Sequence, residues 1–96
     1  LEEGRRAQRD FGRIFELTAL DGAAIPPEQW PLARVRRGEQ FVDWEIRVRR
    51  RDRAWSRILS YTGMPVHYAG GKTLTFMMLA DITERKESEK LLRDAK

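Results

Sequence analysis

The feature that most constrains the fold is a change of hydrophobic period at Phe41. Beyond this residue apolar and charged side chains alternate strictly, Val42, Trp44, Ile46 and Val48 with Asp43, Glu45, Arg47 and Arg49. A period of two places successive side chains on opposite faces of an extended chain. The alternation therefore predicts a β-strand that has one apolar and one charged face.

Two further strands are predicted after it, separated by turn signals. Residues 51–54 form the predicted hairpin turn, and residues 55–66 the second strand, in which Pro65 indicates an edge or a strand end. A glycine pair at 70–71 marks the next turn, and residues 72–82 are rich in β-branched, aromatic and methionine side chains. The sequence thus predicts an antiparallel sheet of at least three strands.

Helices are predicted at both ends of this sheet, which makes the fold class α+β. In residues 1–18, Phe11, Ile14 and Phe15 fall at helical spacing and predict an amphipathic leading helix. Residues 83–96 predict a highly charged exit helix that is too short to be stable alone.

The intervening residues read as a loop that contains one short helix. Pro31 can open a helical turn through Val35, and Gly38 can end it. With 96 residues the chain is long enough for one domain, divided into the leading helix 1–18, the loop and sheet 19–82, and the start of the exit helix 83–96.

Composition limits the location and the chemistry of this domain. The chain has no cysteine, which excludes a disulfide framework, a thiolate metal site and a cysteine nucleophile. No apolar run is long enough to span a membrane, and no signal peptide is visible. We therefore expect a cytoplasmic protein whose chain makes no membrane contact here.

Nothing in the sequence indicates catalysis or a metal centre. The single histidine, His67, has no second histidine or cysteine with which to hold a metal. The serines have no paired base at a known spacing, and no phosphate-cradling glycine motif is present. The prediction is a domain that is not an enzyme.

The basic residues raise a separate possibility, since the net charge is +4. Arginines cluster in and beside the predicted hairpin, at Arg47, Arg49, Arg50, Arg51, Arg53 and Arg57. Such a cluster can attract phosphates, but it has neither a recognition-helix pattern nor a stacking motif. Nucleic-acid or anion binding is therefore the weaker hypothesis, and a solvated charged face is the simpler one.

Several stretches resemble the PAS/PAC family of sensor domains. The most specific is Asp81-Ile82-Thr83-Glu84-Arg85-Lys86, which is similar to the hexamer that closes many bacterial PAS domains where the last strand meets the signalling helix. Residues 38–55 resemble the family's central hairpin, and residues 62–66 the run that ends its next strand. Residues 5–17 resemble the helix that commonly precedes a PAS core.

The resemblance implies a sensory input or signal-relay module of a bacterial signal-transduction protein, such as a two-component system. Conformational change would pass through the last strand and exit helix to a separate effector, such as a histidine kinase or a diguanylate cyclase. Signal coupling would then lie at Asp81, Ile82 and Thr83, where the Thr83 hydroxyl is also expected to cap the helix.

The small size of the predicted sheet leads us to expect a dimer. Three strands leave one apolar face poorly covered, so we expect a homodimer that buries Phe11, Ile14 and Phe15, or that exchanges a strand. A ligand-free dimerisation adaptor is the alternative function.

The ligand stays open. PAS relatives hold haem, flavin or small metabolites against the inner sheet face, which here would comprise Trp44, Ile46, Val48, Met77 and Leu79. His67 is not on a helix, which argues against haem, and a cysteinyl flavin is excluded because no cysteine exists. Residues 20–40 are also too few for all the strands and helices that wall the usual pocket.

Overall fold

The computed structural model of the chain describes residues 12–95. It has an α+β fold in which a four-stranded antiparallel sheet is followed by a C-terminal helix. The strands are β1 (Phe15–Thr18), β2 (Phe41–Arg50), β3 (Ser56–Tyr68) and β4 (Lys72–Asp81). A 3-10 turn (Pro27–Gln29) precedes helix α1 (Pro31–Arg36), and helix α2 (Thr83–Asp94) follows β4. The predicted α+β class with an antiparallel sheet is confirmed.

Strand β1 corrects the prediction for the start of the chain. The leading helix was predicted to continue to residue 18, but Phe15–Thr18 is extended and pairs antiparallel with β2, with Leu17 opposite Val48. Helical geometry is limited to residues 12–14 in this part of the described chain, and residues 1–11 lie outside it. Phe15 and Leu17 also satisfy a period of two, and pairing with β2 buries Leu17, which decides for the strand.

The four strands lie in the order β1-β2-β3-β4, and each pairs with its sequence neighbour. The core lies on one side of this sheet, here called the inner face. Its buried members are Leu17, Trp30, Ile46, Val48 and Tyr61. Trp30 comes from the loop before α1, and its indole N–H donates a 2.7 Å hydrogen bond to the Ile25 carbonyl. The loop that the sequence predicted thus supplies the cover of the inner face.

A β-bulge interrupts β2 and corrects the predicted alternation at its start. The register shifts between Phe41 and Trp44, and Asp43 has a φ of 51°. The extra residue turns Val42 outward, where it is 71% exposed, although the alternation predicted an inward side chain. Phe41 takes the inner position instead and packs over Gly63, where any Cβ would lie 2.6 Å from the Phe41 ring.

The turn predictions agree with the structure. Helix α1 begins at Pro31, and Gly38 follows it with a φ of 89°, which glycine adopts without steric cost. Strand β3 continues past Pro65 to Tyr68, further than predicted. Pro65 lies beyond Gly63, the last residue of β3 that pairs with β2, so one side of β3 has no partner strand there.

Candidate functional site

Helix α2 is joined to the sheet through a hydrogen-bonded cluster, here called the strand–helix junction, of Ile58, Asp81, Ile82 and Thr83. The Thr83 hydroxyl donates to Asp81 Oδ1 at 2.6 Å and accepts from the Ile58 backbone N–H at 2.9 Å. The Thr83 N–H donates to the same Asp81 oxygen at 3.0 Å, and the Ile82 N–H donates to the Ile58 carbonyl at 2.9 Å. The first residues of α2 are thereby bound to both β3 and β4.

The junction corrects the predicted role of the Thr83 hydroxyl. We expected this group to cap the first turn of α2, but it lies between Asp81 and Ile58 instead. The Asp81 carboxylate accepts the Thr83 N–H, so the residue before Ile82 satisfies the first donor of the helix. Ile58, Ile82 and Thr83 are buried, and a buried polar cluster is strong only while every member keeps its partner.

Electrostatics favours the ionised carboxylate at this point. The Thr83 hydroxyl, followed by the Thr83 N–H, lowers the pKa of Asp81 by hydrogen bonding to its charged form. Arg57, whose Nε lies 4.0 Å from Asp81 Oδ2, adds a smaller effect of the same sign. The junction is therefore assembled with a charged Asp81 at neutral pH.

A second connection joins α2 to β2. Lys86 Nζ lies 2.7 Å from Glu45 Oε1, and Arg85 Nη2 lies 3.7 Å from Glu45 Oε2. The hydrogen bond to Glu45 raises the pKa of Lys86. Glu45 belongs to the predicted charged face, but its pairing with Lys86 joins residues about forty positions apart, and no local pattern predicts such a contact.

An open groove of about 480 Å³ lies beside the junction. Arg57, Asp81, Ile82, Glu84 and Arg85 line it. Four of these five side chains are charged, and Arg57 lies 4.0 Å from Asp81, which makes the groove a poor match for an apolar ligand. Its relevance is its position over Ile82, where α2 leaves the sheet.

The predicted ligand-facing residues all lie on the inner face. Trp44 is paired with Tyr61, Met77 with Gly63, and the remaining members are Ile46, Val48 and Leu79. Ile46 and Val48 are buried in the core cluster that contains Trp30, whereas Leu79 is about half exposed. The chain itself therefore covers the β2 part of this face, and Met77 of β4 also packs against the core, whereas Leu79 of β4 is left half exposed.

Sequence reasoning missed two members of this region. The sequence pattern places Trp30 only in a loop, although a large aromatic beside Pro31 is a signal that a loop packs on a core. Tyr61 was placed on a strand but not in the site, and its burial raises the pKa of its phenol to about 12. Arg34 stacks over the Trp44 ring at 4.7 Å from the centroid and shields the edge of the same surface.

The predicted dimer-interface residues have different surroundings. Phe11 lies outside the described residues. Ile14 is exposed, whereas Phe15 packs against the core and contacts Trp55 edge-on, with ring centroids 6.0 Å apart. Most of the Phe15 side chain is therefore in contact with other residues of the same chain. Of Ile14 and Phe15, only Ile14 has an exposed side chain that a partner could bury.

The arginine-rich hairpin is partly neutralised by its own acids. Arg50 donates from Nε and Nη2 to both oxygens of Asp52 at 2.8 Å, and this pairing lowers the pKa of Asp52. Arg51 lies 3.5 Å from Glu16, and Arg53 lies 3.9 Å from Asp52. These contacts favour a charged, solvated hairpin over a surface built for phosphate.

No group of three or more His, Cys, Asp or Glu side chains within residues 12–95 is arranged to hold a metal ion. In the same range, none of the helices has both the length and the apolar character needed to cross a membrane. His67 lies on β3, where its Nδ1 is 3.0 Å from the Thr73 hydroxyl across the β3–β4 hairpin.

Comparisons with models of known protein families, with curated proteins and with solved structures found no match. Functional assignment therefore depends on the junction, the sheet surfaces and the sequence motifs themselves.

Proposed function

We propose that this chain is a PAS-type signal-relay module of a bacterial, cytoplasmic signal-transduction protein, without catalytic activity of its own. The observation that carries this proposal is the strand–helix junction, in which the Thr83 hydroxyl joins Asp81 to Ile58. The junction coincides with the PAS-like hexamer 81–86. Motif and geometry thus support the same point of coupling.

Helix α2 is held to the sheet at its N-terminal end and is exposed over the rest of its described length. Its first residues are hydrogen-bonded to β3 and β4, and Lys86 holds it to β2. Every described residue after Lys86 is exposed. A displacement of β4 or β3 at the junction therefore changes the direction of the whole exposed helix.

The exposed end of α2 carries the surface for an effector or a second helix. Leu91 and Leu92 are 71% and 70% exposed, although most of this helix is charged. Exposed leucines on a charged helix are typical of a seam that packs against another helix. We infer that α2 pairs in a homodimer and continues its signal to a histidine kinase or a diguanylate cyclase.

Relay requires two arrangements of similar free energy that a ligand or a partner favours differently. The strongest candidates for a bias are Leu79, which is half exposed on the inner face, and Met77, which packs against the core, because both lie on the strand that ends at Asp81. A bound metabolite there would act on the junction through β4.

One observation favours a second candidate, the ligand-free dimerisation adaptor. Trp30 packs with Ile46 and Val48, the centre of the surface that would otherwise receive a ligand. Under this alternative the sheet is only a support for α2, and no small molecule alters its position.

The experiment that tests the relay is a fusion of this chain to the catalytic core of a dimeric histidine kinase, with autophosphorylation as the readout. Thr83→Val keeps the shape of the side chain but removes the hydroxyl that joins Asp81 and Ile58. We expect it to change the kinase rate several-fold. Ser88→Ala is the matched control, because Ser88 is an exposed hydroxyl residue further along α2.

Output that is unaltered by Thr83→Val, in a fusion whose circular dichroism shows an intact fold, would contradict the relay. Equal changes from Thr83→Val and Ser88→Ala would also contradict it, because α2 would then act without the junction. Retention of an added mass in native mass spectrometry would decide for a ligand and against the adaptor.

A further inference from the structure

Strand β4 forms an open edge of the sheet. It pairs with β3 on one side, and within residues 12–95 no strand pairs with its other side. A ten-residue edge strand presents a row of unpaired backbone N–H and C=O groups to any extended chain. Natural proteins usually protect such an edge with charges, proline or a short length.

Those protections are lacking in β4. From Thr73 to Ala80 the strand contains no charged residue, glycine or proline. Its large apolar side chains are mostly exposed, with Leu74 (57%), Phe76 (48%) and Met78 (56%) on one face and Leu79 (52%) on the other, while Met77 packs against the core. An uncharged edge that is apolar on both faces is a template for strand addition rather than a solvated border.

We propose that β4 pairs antiparallel with β4 of a second copy of this chain, which joins two sheets into one of eight strands. The pairing is centred on Phe76, so that each Phe76 lies beside its equivalent. Leu74 then lies opposite Met78, and Thr75 opposite Met77, and each residue keeps its own face of the sheet. This register pairs an aromatic ring with an aromatic ring and leaves Asp81 free for the junction.

The other edge of the sheet explains why the partner is β4 itself. Strand β1 has four residues, and Thr18 at its end is bridged to Ala24. Pairing of β4 with that short edge would be limited to a few residues. Each chain added in this way would also leave another β4 edge free, so the assembly would grow as an open filament. Pairing of β4 with β4 is self-complementary and closes after two copies.

Because the chain has no cysteine, single introduced cysteines can test this pairing directly. Phe76→Cys places a thiol at the proposed centre, where antiparallel partners bring Cβ atoms to about 4.5–5.5 Å. Val66→Cys is the matched control, since Val66 is 40% exposed on the same face and lies opposite Leu74 on β3. In the proposed dimer the two Val66 positions are separated by three strand spacings, about 14 Å, across the sheet and by four residues, about 13 Å, along it, which is too far for a disulfide.

We expect mild oxidation to crosslink Phe76→Cys at least tenfold faster than Val66→Cys. We also expect light scattering to show a dimer for the native chain and a monomer for Phe76→Glu. Val42→Glu, which adds the same charge at an exposed apolar residue of β2, should remain a dimer. Circular dichroism establishes that both charged variants are folded.

Equal crosslinking of Phe76→Cys and Val66→Cys would overturn the proposal, because it would show packing of two sheet faces instead of two edges. A native chain that remains monomeric at millimolar concentration would overturn it as well. The proposal does not depend on the relay, because none of these measurements involves the junction or an effector.

Discussion

Two parts of the same sheet have opposite surroundings. Around β1 and β2, the inner face is covered by the chain itself, with Trp30 over Ile46 and Val48. Along β4, Leu74, Phe76 and Met78 on one face and Leu79 on the other remain about half exposed, and Met77 is the one large apolar side chain of this strand that packs against the core. The covered part holds the fold together, whereas the open part leaves apolar surface exposed.

The difference indicates which parts of the molecule the proposed relay would use to receive and to transmit a signal. Strand β4 belongs to the open part over most of its length, but it ends at Asp81 in the hydrogen-bonded junction. Under the proposed function, binding at β4 would act on a strand whose last residue is hydrogen-bonded to the start of α2.

The most direct test of this difference is to truncate one inner-face side chain to alanine in each part of the sheet. Ile46 is fully buried, so Ile46→Ala should lower the free energy of unfolding by about 2–5 kcal/mol. Leu79→Ala removes a similar apolar side chain on the same face, but its exposure predicts a loss of about 1 kcal/mol or less. Urea unfolding measures both, and equal losses would show that the two parts are not different.

The junction should respond to the loss of a single oxygen. Thr83→Val leaves the buried Ile58 N–H without its acceptor, which should cost about 1–3 kcal/mol. Ser88→Ala, at an exposed site on the same helix, should change stability by less than about 0.5 kcal/mol. If the two variants unfold at the same urea concentration, the junction does not hold α2.

Alkaline pH should affect the covered part through Tyr61. Burial raises the pKa of this phenol to about 12, above its ordinary value of 10.0. Stability from Tyr61 is therefore fully present below pH 10 and is lost as the pH rises towards 12. Tyr61→Phe should reduce the slope of stability against pH in that window, and an identical slope in the variant would place Tyr61 in solvent.

Acid should loosen the junction by a smaller amount, because the Asp81 carboxylate is exposed. Its pKa is lowered by hydrogen bonds from Thr83, so its contribution is present above the unfolded pKa of about 3.9 and is lost as the pH falls through the folded value. Asp81→Asn should remove part of the acid sensitivity of α2, measured by amide exchange of Ile82 and Thr83. A variant that loses protection at the same pH as the native chain would contradict this role.

The sequence was sufficient for most of the sheet because alternation and glycine turns are local signals. The alternation placed Trp44, Ile46 and Val48 on one face, and the structure keeps them there. Val42 departs from the predicted alternation because the bulge at Asp43 adds one residue to the strand. The local sequence pattern does not predict this bulge.

The remaining differences arise from contacts between distant residues. Phe15 fits helical spacing with Phe11 and strand spacing with Leu17, and only pairing with β2 decides between them. The cover provided by Trp30 and the ion pair of Glu45 with Lys86 also depend on the folded arrangement. The hexamer 81–86 indicated where the junction lies, but not that Thr83 reaches across to Ile58.

The most direct test of the central claim, that β4 acts on α2 through the junction, is a pair of nuclear magnetic resonance comparisons. Met77→Leu is a conservative change on β4, four residues before Asp81. In the native junction it should shift the backbone amide signals of the first turn of α2. In the Thr83→Val background the same change should still shift β4 signals but leave those of α2 in place. Shifts of α2 that are equally large in both backgrounds, or absent from both, would contradict the account.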